Sequence, residues 1–489
     1  MAMDGGRHDG RSAAHAACMG GKDECLRKLH ELCGRSILTN TDDEGCSPAW
    51  MAAIHGSVSC VCFIHEICGE GALWTASSGG GSAAHAACQG GKDLCLRKLQ
   101  ELCGASILTD ANDYGNSPAW DAAYYGSVSC LCMIHELCGE GAMRRTSSFG
   151  SSAADIACCT GEAACLRKLH ELCGALILTD ADDKGRSPAS SAAFNGSVSC
   201  LCFIHEICGE GALRTALSDG GSAAHAACQG GKDVCLRKLH ELCGASILTD
   251  ADSEGSSPAW FAASNGSLSC LCFIHELCGD GALLDATSGG DSVAHIACER
   301  GYDDCLRKLH ELSGAWILTV PNNHGENPAW AAATRGSVSC LCVIHGTCGV
   351  EALRRVTVLG RSAAHAACEA GSLECLGRIV ELCGSEILSA PDREGYTPAH
   401  AACGGGRAEC VQWLYDAGER KSFLARRRNG DSPMDLAASG GHEGVMKLLR
   451  DLGLDGDGTN DTASRLRRKL RERKAAAKGG RGIRAVGQG

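Results

Sequence analysis

The stretch GCSPAWMAAIHGSVSCVCFIHEICGEGAL, residues 45–73, decides the architecture. Ser47 followed by Pro48 is a helix start: a hydroxyl able to cap free N–H groups precedes the one residue whose missing N–H costs nothing in the first turn. Gly56 closes this first helix after about two turns. A second helix follows from about Ser57, with Cys60, Val61, Ile64, Ile67 and Cys68 on one stripe at helical spacing. Gly69 stands where a left-handed cap is preferred. The stretch reads as a helix pair.

The pair is not unique. SAAHAAC and its variants open at Ser12, Ser82, Ser152, Ser222, Ser292 and Ser362, and midway between them lie Ser47, Ser117, Ser187, Ser257, Asn327 and Thr397, mostly opening SPAW. A last copy opens at Ser432, so the period is 35 residues, in thirteen copies that alternate between two flavours. A fixed period in this range predicts a solenoid whose units pack on their neighbours. Composition agrees, because 4% aromatics with 65 glycines and 36 cysteines suit many small contacts better than one large interior. The links, such as SILTDANDYGN from Ser106, place an Ile-Leu pair before a polar, turn-forming tip, as a short hairpin would. The odd copies lack the proline of SPAW, which leaves their helix starts less fixed. The divisions are an N-terminal extension (1–8), the array (9–454), a Gly/Asp linker (455–461) and a basic tail (462–489). No polar capping copy precedes the first pair, which is therefore expected to leave one face uncovered.

TPAHAACGGG from Thr397, SPAWMAAIHG from Ser47 and SPMDLAASGG from Ser432 make the chain resemble the ankyrin-repeat family, whose signature is T-P-L-H-x-A-A-x-x-G. The resemblance implies an all-α solenoid of stacked helix pairs joined by short, β-hairpin-like loops. It also implies that His15, His85, His225, His295, His365 and His400 act as clamps, bonding their own turn and the adjacent repeat. The family period is about 33, so two extra residues are expected to lengthen the second helix at HELCG or the loop after it. In the family, the tips and the end of the first helix face a concave groove where protein ligands dock.

Compared with one another, the copies keep a nearly identical framework and differ at few positions. In the even copies the residue after the clamp position reads Met51, Asp121, Ser191, Phe261 and Ala331. The two residues before the closing glycine read Ile54 and His55, Tyr124 and Tyr125, Phe194 and Asn195, Ser264 and Asn265, Thr334 and Arg335. The tips vary through Glu44, Tyr114, Lys184, Glu254 and His324. By the resemblance these positions line the groove, and their aromatic members are of the type enriched at binding hot spots. Matching odd positions stay small and polar, as in Gln89-Gly90 and Gln229-Gly230, which argues against simple drift. The acidic tips suggest a protein partner of basic or mixed surface.

Other chemistry has weaker support. His15 with Cys18 and His30 with Cys33 share helix faces, but a structural zinc needs four convergent ligands, and alternate copies put Trp50 and Ala53 in place of the first pair. Equivalent cysteines of successive units stand too far apart for a shared ion or a disulfide. Cysteine then serves as a small buried hydrophobe, with Cys25, Cys33, Cys60 and Cys68 on the apolar stripe and Cys62 turned away from it. HEICG lacks the second histidine of a zinc-protease helix, and the tips from Asp180 and Asp250 lack the closing glutamate of a calcium loop. No catalytic constellation stands out, so the chain reads as non-enzymatic, without metal or cofactor. RRTSS, Arg144 to Ser148, fits a basophilic kinase site on a loop.

The net charge of −12 hides an asymmetry: residues 462–489 carry ten Lys/Arg against one acidic residue. The tail reads first as a solvated helix or disordered segment, with a nucleic-acid contact or nuclear localisation and a membrane-surface role as alternatives, as the thiols leave open a metal or redox buffer. There is no apolar leader and no span-length apolar run, and the thiols read as reduced. Location is expected to be cytoplasmic, with a nuclear one as the alternative.

Overall fold

The structure, a computed structural model, describes residues 10–284 and 287–454. The proposed extension (1–8), linker (455–461) and tail (462–489) lie outside the described residues. The chain divides into two compact units, Met1–Ala282 and Leu283–Gly489, and each is built from the same repeat, numbered here from the copy opening at Ser12.

Every repeat is a helix pair. Repeat 2 has Pro48–His55 and Val58–Cys68, and repeat 3 has Ala83–Gln89 and Asp93–Cys103. First helices have seven or eight residues and are rich in alanine, whose small side chains let neighbouring first helices pack closely: Ala49, Ala52, Ala53, Ala84, Ala86 and Ala87 are all buried. Second helices bury Cys60, Val61 and Ile64 in repeat 2 and Cys95, Leu96 and Leu99 in repeat 3. They run through the HELC segment to Cys33 and its counterparts, eleven residues long except in the last two repeats, where Ala408–Asp416 and Glu443–Asp451 have nine.

Helix starts are more uniform than the proline pattern suggests. In the even repeats the Ser47 hydroxyl accepts the Trp50 N–H at 3.4 Å ahead of Pro48. The odd repeats up to repeat 11 lack proline but form a capping box, through histidine except for Asp155 in repeat 5: His85 Nδ1 accepts the Ser82 N–H at 3.1 Å and sits 2.9 Å from its hydroxyl. The expectation of looser odd starts is corrected, because the clamp side chain is also the cap.

Gly56 closes its helix in the left-handed region (φ +77°, ψ +25°), whereas Gly69 has φ +72° and ψ −178°. The second helix thus ends in the extended mirror-image region open essentially to glycine, not in a left-handed cap. The Ile-Leu pair that follows the odd repeats is not a hairpin arm. It lies in a 3₁₀ turn such as Ala105–Leu108, with Ile107 and Leu108 buried. Strand pairing among the described residues is limited to isolated bridges, Cys46 with Ser77 and Arg186 with Leu217. The tip itself is a turn closed by its acid: Asp42 Oδ1 accepts the N–H groups of Glu44 at 3.1 Å and Cys46 at 2.8 Å. Successive tips are tied by backbone bonds such as Ser78 N–H to the Gly45 carbonyl at 2.9 Å.

Repeat 1 lacks a neighbour on one side among the described residues, and its exposure shows it. Cys25 and Cys33, placed on the apolar stripe, are exposed, while Cys95, Cys165 and Cys235 at the first of these positions are buried under the preceding repeat. Cys60 and Cys68 are buried and Cys62 is half-buried. Among the described residues no helix is long and apolar enough to cross a membrane.

Candidate functional site

Joints between repeats position everything exposed. The clamp histidines bond forward: Nε2 of His15 lies 3.0 Å from the Cys46 carbonyl, His85 2.9 Å from Asn116, His225 3.1 Å from Ser256, His295 2.9 Å from Glu326 and His365 3.0 Å from Tyr396. A ring that accepts at Nδ1 from the serine N–H and donates from Nε2 to a carbonyl must be neutral. Burial depresses the pKa of His85, His225 and His295 and takes His365 to about 4. His400 keeps the Thr397 half of the pattern at 2.9 Å, but its Nε2 is buried without a hydrogen bond among the described residues.

Serines of the even repeats add a second tie. The Ser57 hydroxyl donates to the Cys18 carbonyl at 2.6 Å, Ser127 to Cys88 at 2.7 Å and Ser197 to Cys158 at 2.6 Å. In the SVSC sequence alone these serines read only as a helix start.

The sequence-selected surface positions separate into three groups. His55, Tyr114, Tyr124, Tyr125, Lys184, Phe194, Asn195, Asn265, His324, Thr334 and Arg335 are exposed, and Ile54, Phe261 and Ser264 are half-buried. Met51 and Asp121 are buried, because the residue after the clamp position turns toward the preceding first helix instead of outward. Asn195 and Asn265 bond back to their own helix, at the Ser191 and Phe261 carbonyls (2.8 and 2.9 Å), and Arg335 lies 3.7 Å from Glu299. Repeat 4 concentrates aromatic surface: Trp120 stacks on Tyr124 with centroids 5.5 Å apart, and Tyr125 meets Tyr124 edge-on at 4.8 Å.

Glycine at Gly90 and Gly230 has a packing cause. A Cβ on Gly90 would lie 1.9 Å from the Ile54 carbonyl oxygen, and one on Gly230 2.1 Å from that of Phe194. Glycine stands at these two positions where two backbones touch, whereas the corresponding positions of repeats 5, 9 and 11 hold Thr160, Arg300 and Ala370, so the odd copies are not uniform there and the expectation built on their uniformity is corrected.

Repeat 5 departs from the clamp. Asp155 keeps the capping half, accepting the Ser152 N–H and hydroxyl at 2.9 and 2.8 Å, but its Oδ1 is buried without a partner among the described residues. The carboxylate is shorter than imidazole, and a cavity of about 120 Å³ opens beside it, lined also by Arg144, Thr146, Ile177 and Asp180. Asp155→His is expected to fill this space and bond the Arg186 carbonyl, the counterpart of the acceptors above, raising stability by about 1 kcal/mol. A thermal midpoint at pH 7 that stays level or falls would show that the cavity does not accept the ring.

The chemistry-bearing motifs resolve into packing. Cys88 lies against Cys130, Cys158 against Cys200 and Cys228 against Cys270, a first-helix thiol meeting a second-helix thiol of the next repeat. Burial pushes the Cys88, Cys158 and Cys228 thiols well up, so they stay protonated and poorly nucleophilic. The histidine of HELC packs edge-on against the next repeat's phenylalanine, His30 on Phe63 at 5.9 Å and His170 on Phe203 at 5.7 Å. One group of metal-capable atoms converges among the described residues, Asp42, Glu44 and Cys46, and it is the tip turn, with Asp42 already holding two backbone N–H groups and facing Arg11 Nε at 3.4 Å. Tip acids of the calcium-like loops pair with arginine, Asp180 with Arg144 at 2.7 Å and Asp250 with Arg214. Both arginines of RRTSS are engaged, Arg144 as above and Arg145 with the Thr109 carbonyl at 2.8 Å, and Ser147 is buried.

Stacked helix pairs, histidine clamps between repeats and varied exposed positions on a fixed frame define a helical repeat protein. The family profile described as ankyrin repeats (3 copies) matches residues 329–423 and, overlapping them, 364–460. The two matches together span residues 329–460, about a quarter of the chain, and ankyrin repeats are generally protein–protein interaction modules and typically non-enzymatic. None of the curated proteins matches the chain.

Proposed function

We propose that this protein is a non-enzymatic scaffold or adaptor that binds a protein partner of basic or mixed surface charge. The contact is made by the tips and by the closing end of the first helices. The observation that carries this reading is a coincidence of variation with exposure. Where otherwise near-identical copies differ, they present Tyr114, Tyr124, Tyr125 and Phe194 to solvent, with Tyr114 64% exposed. Exposed aromatics on a rigid frame are costly in water and useful at an interface.

The test is cross-linking mass spectrometry on the full chain after proximity labelling. Cross-links are expected at the exposed positions of repeats 2 to 6, and the triple variant Tyr124→Ala, Tyr125→Ala, Phe194→Ala should lose the partner with little change in thermal midpoint. Cross-links confined to residues 455–489, with the triple variant still binding, would overturn this reading in favour of the tail.

A further inference from the structure

Repeat 4 carries a carboxylate that packing does not require. Asp121 sits in the helix Pro118–Tyr124 and is 9% exposed, and its side chain makes no hydrogen bond among the described residues. Counterparts at this position are neutral, namely Met51, Ser191, Phe261 and Ala331, so the joint folds without an acid. Without a partner this carboxyl is pushed up to about 7 by burial, so a cation brought beside it would recover the charged form that the free protein disfavours. Beside it stand the exposed rings of Tyr124 and Tyr125, 42% and 46% accessible, with Trp120 stacked behind Tyr124 at an interplanar angle of 9°.

The molecule shows elsewhere what completes such a set. Arg361 lies over the Tyr396 ring at 4.3 Å while its Nε is 3.1 Å from Asp392. Arg27 lies over Phe63 at 4.4 Å with Nη1 3.6 Å from Glu66, and Arg167 over Phe203 at 4.5 Å with Nη1 3.7 Å from Glu206. In each case an aromatic face, a carboxylate and an arginine come together. At repeat 4 the aromatic faces and the carboxylate are present, and no arginine of the described residues lies over them.

We propose that Asp121, Tyr124 and Tyr125, backed by Trp120, form a receptor for an arginine side chain presented by the partner, an inference that rests on the partner-binding role proposed above. The planar guanidinium stacks on a tyrosine face while its N–H fork reaches the recessed carboxylate. Binding supplies the counter-charge that the free protein lacks. A lysine ammonium can meet the charge but cannot stack as a plane or donate as a fork.

The test uses the full chain and blocked tripeptides, acetyl-Gly-Arg-Gly-amide against its lysine and citrulline counterparts, titrated by saturation-transfer NMR. Saturable binding of the arginine peptide is expected at millimolar concentration, with the lysine and citrulline peptides weaker. Asp121→Asn should weaken arginine binding at least about ten-fold, and Tyr124→Ala should weaken it too. A merely structural acid would not give the second expected reading: Asp121→Asn keeps or raises the thermal midpoint at pH 8 while losing the ligand. Equal binding of the citrulline or lysine peptide, unchanged binding by Asp121→Asn, or no arginine binding at all overturns the inference. If that happens while partner cross-links still map to the exposed positions of repeats 2 to 6, the scaffold reading stands and only the arginine receptor falls.

Discussion

Gly90→Ala is expected to destabilise the first compact unit by about 3 kcal/mol, read as a drop in the denaturation midpoint. The backbone of Gly90 has φ −82°, which alanine adopts freely, so the cost comes from space alone. The added Cβ would meet Ile54 of the preceding repeat at its oxygen (1.9 Å), its carbonyl carbon (2.8 Å) and its Cα (3.1 Å). All three are backbone atoms, so no rotamer change relieves the overlap, and the first helices of repeats 2 and 3 must separate across an alanine-packed face. Gly20 provides an internal control. It is the same position in repeat 1, with φ −84°, but no repeat among the described residues packs before it, and its Cβ would find only ordinary contacts at 3.4 Å and beyond. Gly20→Ala should change stability by less than about 0.5 kcal/mol, and Gly230→Ala should behave like Gly90→Ala. Equal effects at Gly20 and Gly90 would mean that the inter-repeat contact is not what selects glycine.

This pair of glycines also shows what the chain discloses on reading and what it withholds. Period, helix starts and the alternation of two flavours are local patterns, and Ser47-Pro48 or the Cys60, Val61, Ile64 stripe can be read without knowing any neighbour. The histidine clamps were accessible through the family signature, and the structure adds that the same ring caps its own helix. Contacts that depend on the step from one repeat to the next were not readable. Gly90 looks like any loop glycine until Ile54 is placed against it. Asp121 looks like a surface acid until its helix is seen to turn that position inward, and Cys88 and Cys130 meet although equivalent cysteines do not. The 3₁₀ turn at Ile107-Leu108 was missed for another reason: an apolar pair before a polar tip fits a short strand or a buried turn equally well, and only burial by the neighbouring helices decides.

Acidification should act in opposite directions on two joints of the same design. His365 is neutral in its joint, and burial takes it to about 4; Asp392 pulls the pKa up, while Arg361 and His400 push it down. A folded pKa below the ordinary 6.5 means that folding prefers the deprotonated ring, so its contribution is complete above about pH 6.5 and is lost as the pH falls toward 4, up to about 3 kcal/mol. Protonation also removes the Nδ1 lone pair that accepts the Ser362 N–H at 3.1 Å. Asp155 occupies the same position in repeat 5 with the reverse sign. Burial pushes its carboxyl up to about 6; the Ser152 N–H and hydroxyl and Arg186 restrain the rise, and Asp182 adds to it. A folded pKa above the ordinary 3.8 favours the protonated acid, so this joint is fully stabilised below about pH 4 and loses up to about 3 kcal/mol as the pH rises through 6. Amide hydrogen exchange, corrected for intrinsic rates, resolves the two. From pH 7 to pH 5, protection should fall in Ala363–Ala370 and rise in Ala153–Thr160. Asp155→His should invert the second response, making repeat 5 lose protection on acidification as the histidine-clamped repeats do. Parallel changes in both helices of the unaltered chain, or a variant whose repeat 5 still gains protection in acid, would show that residues 155 and 365 do not control these joints.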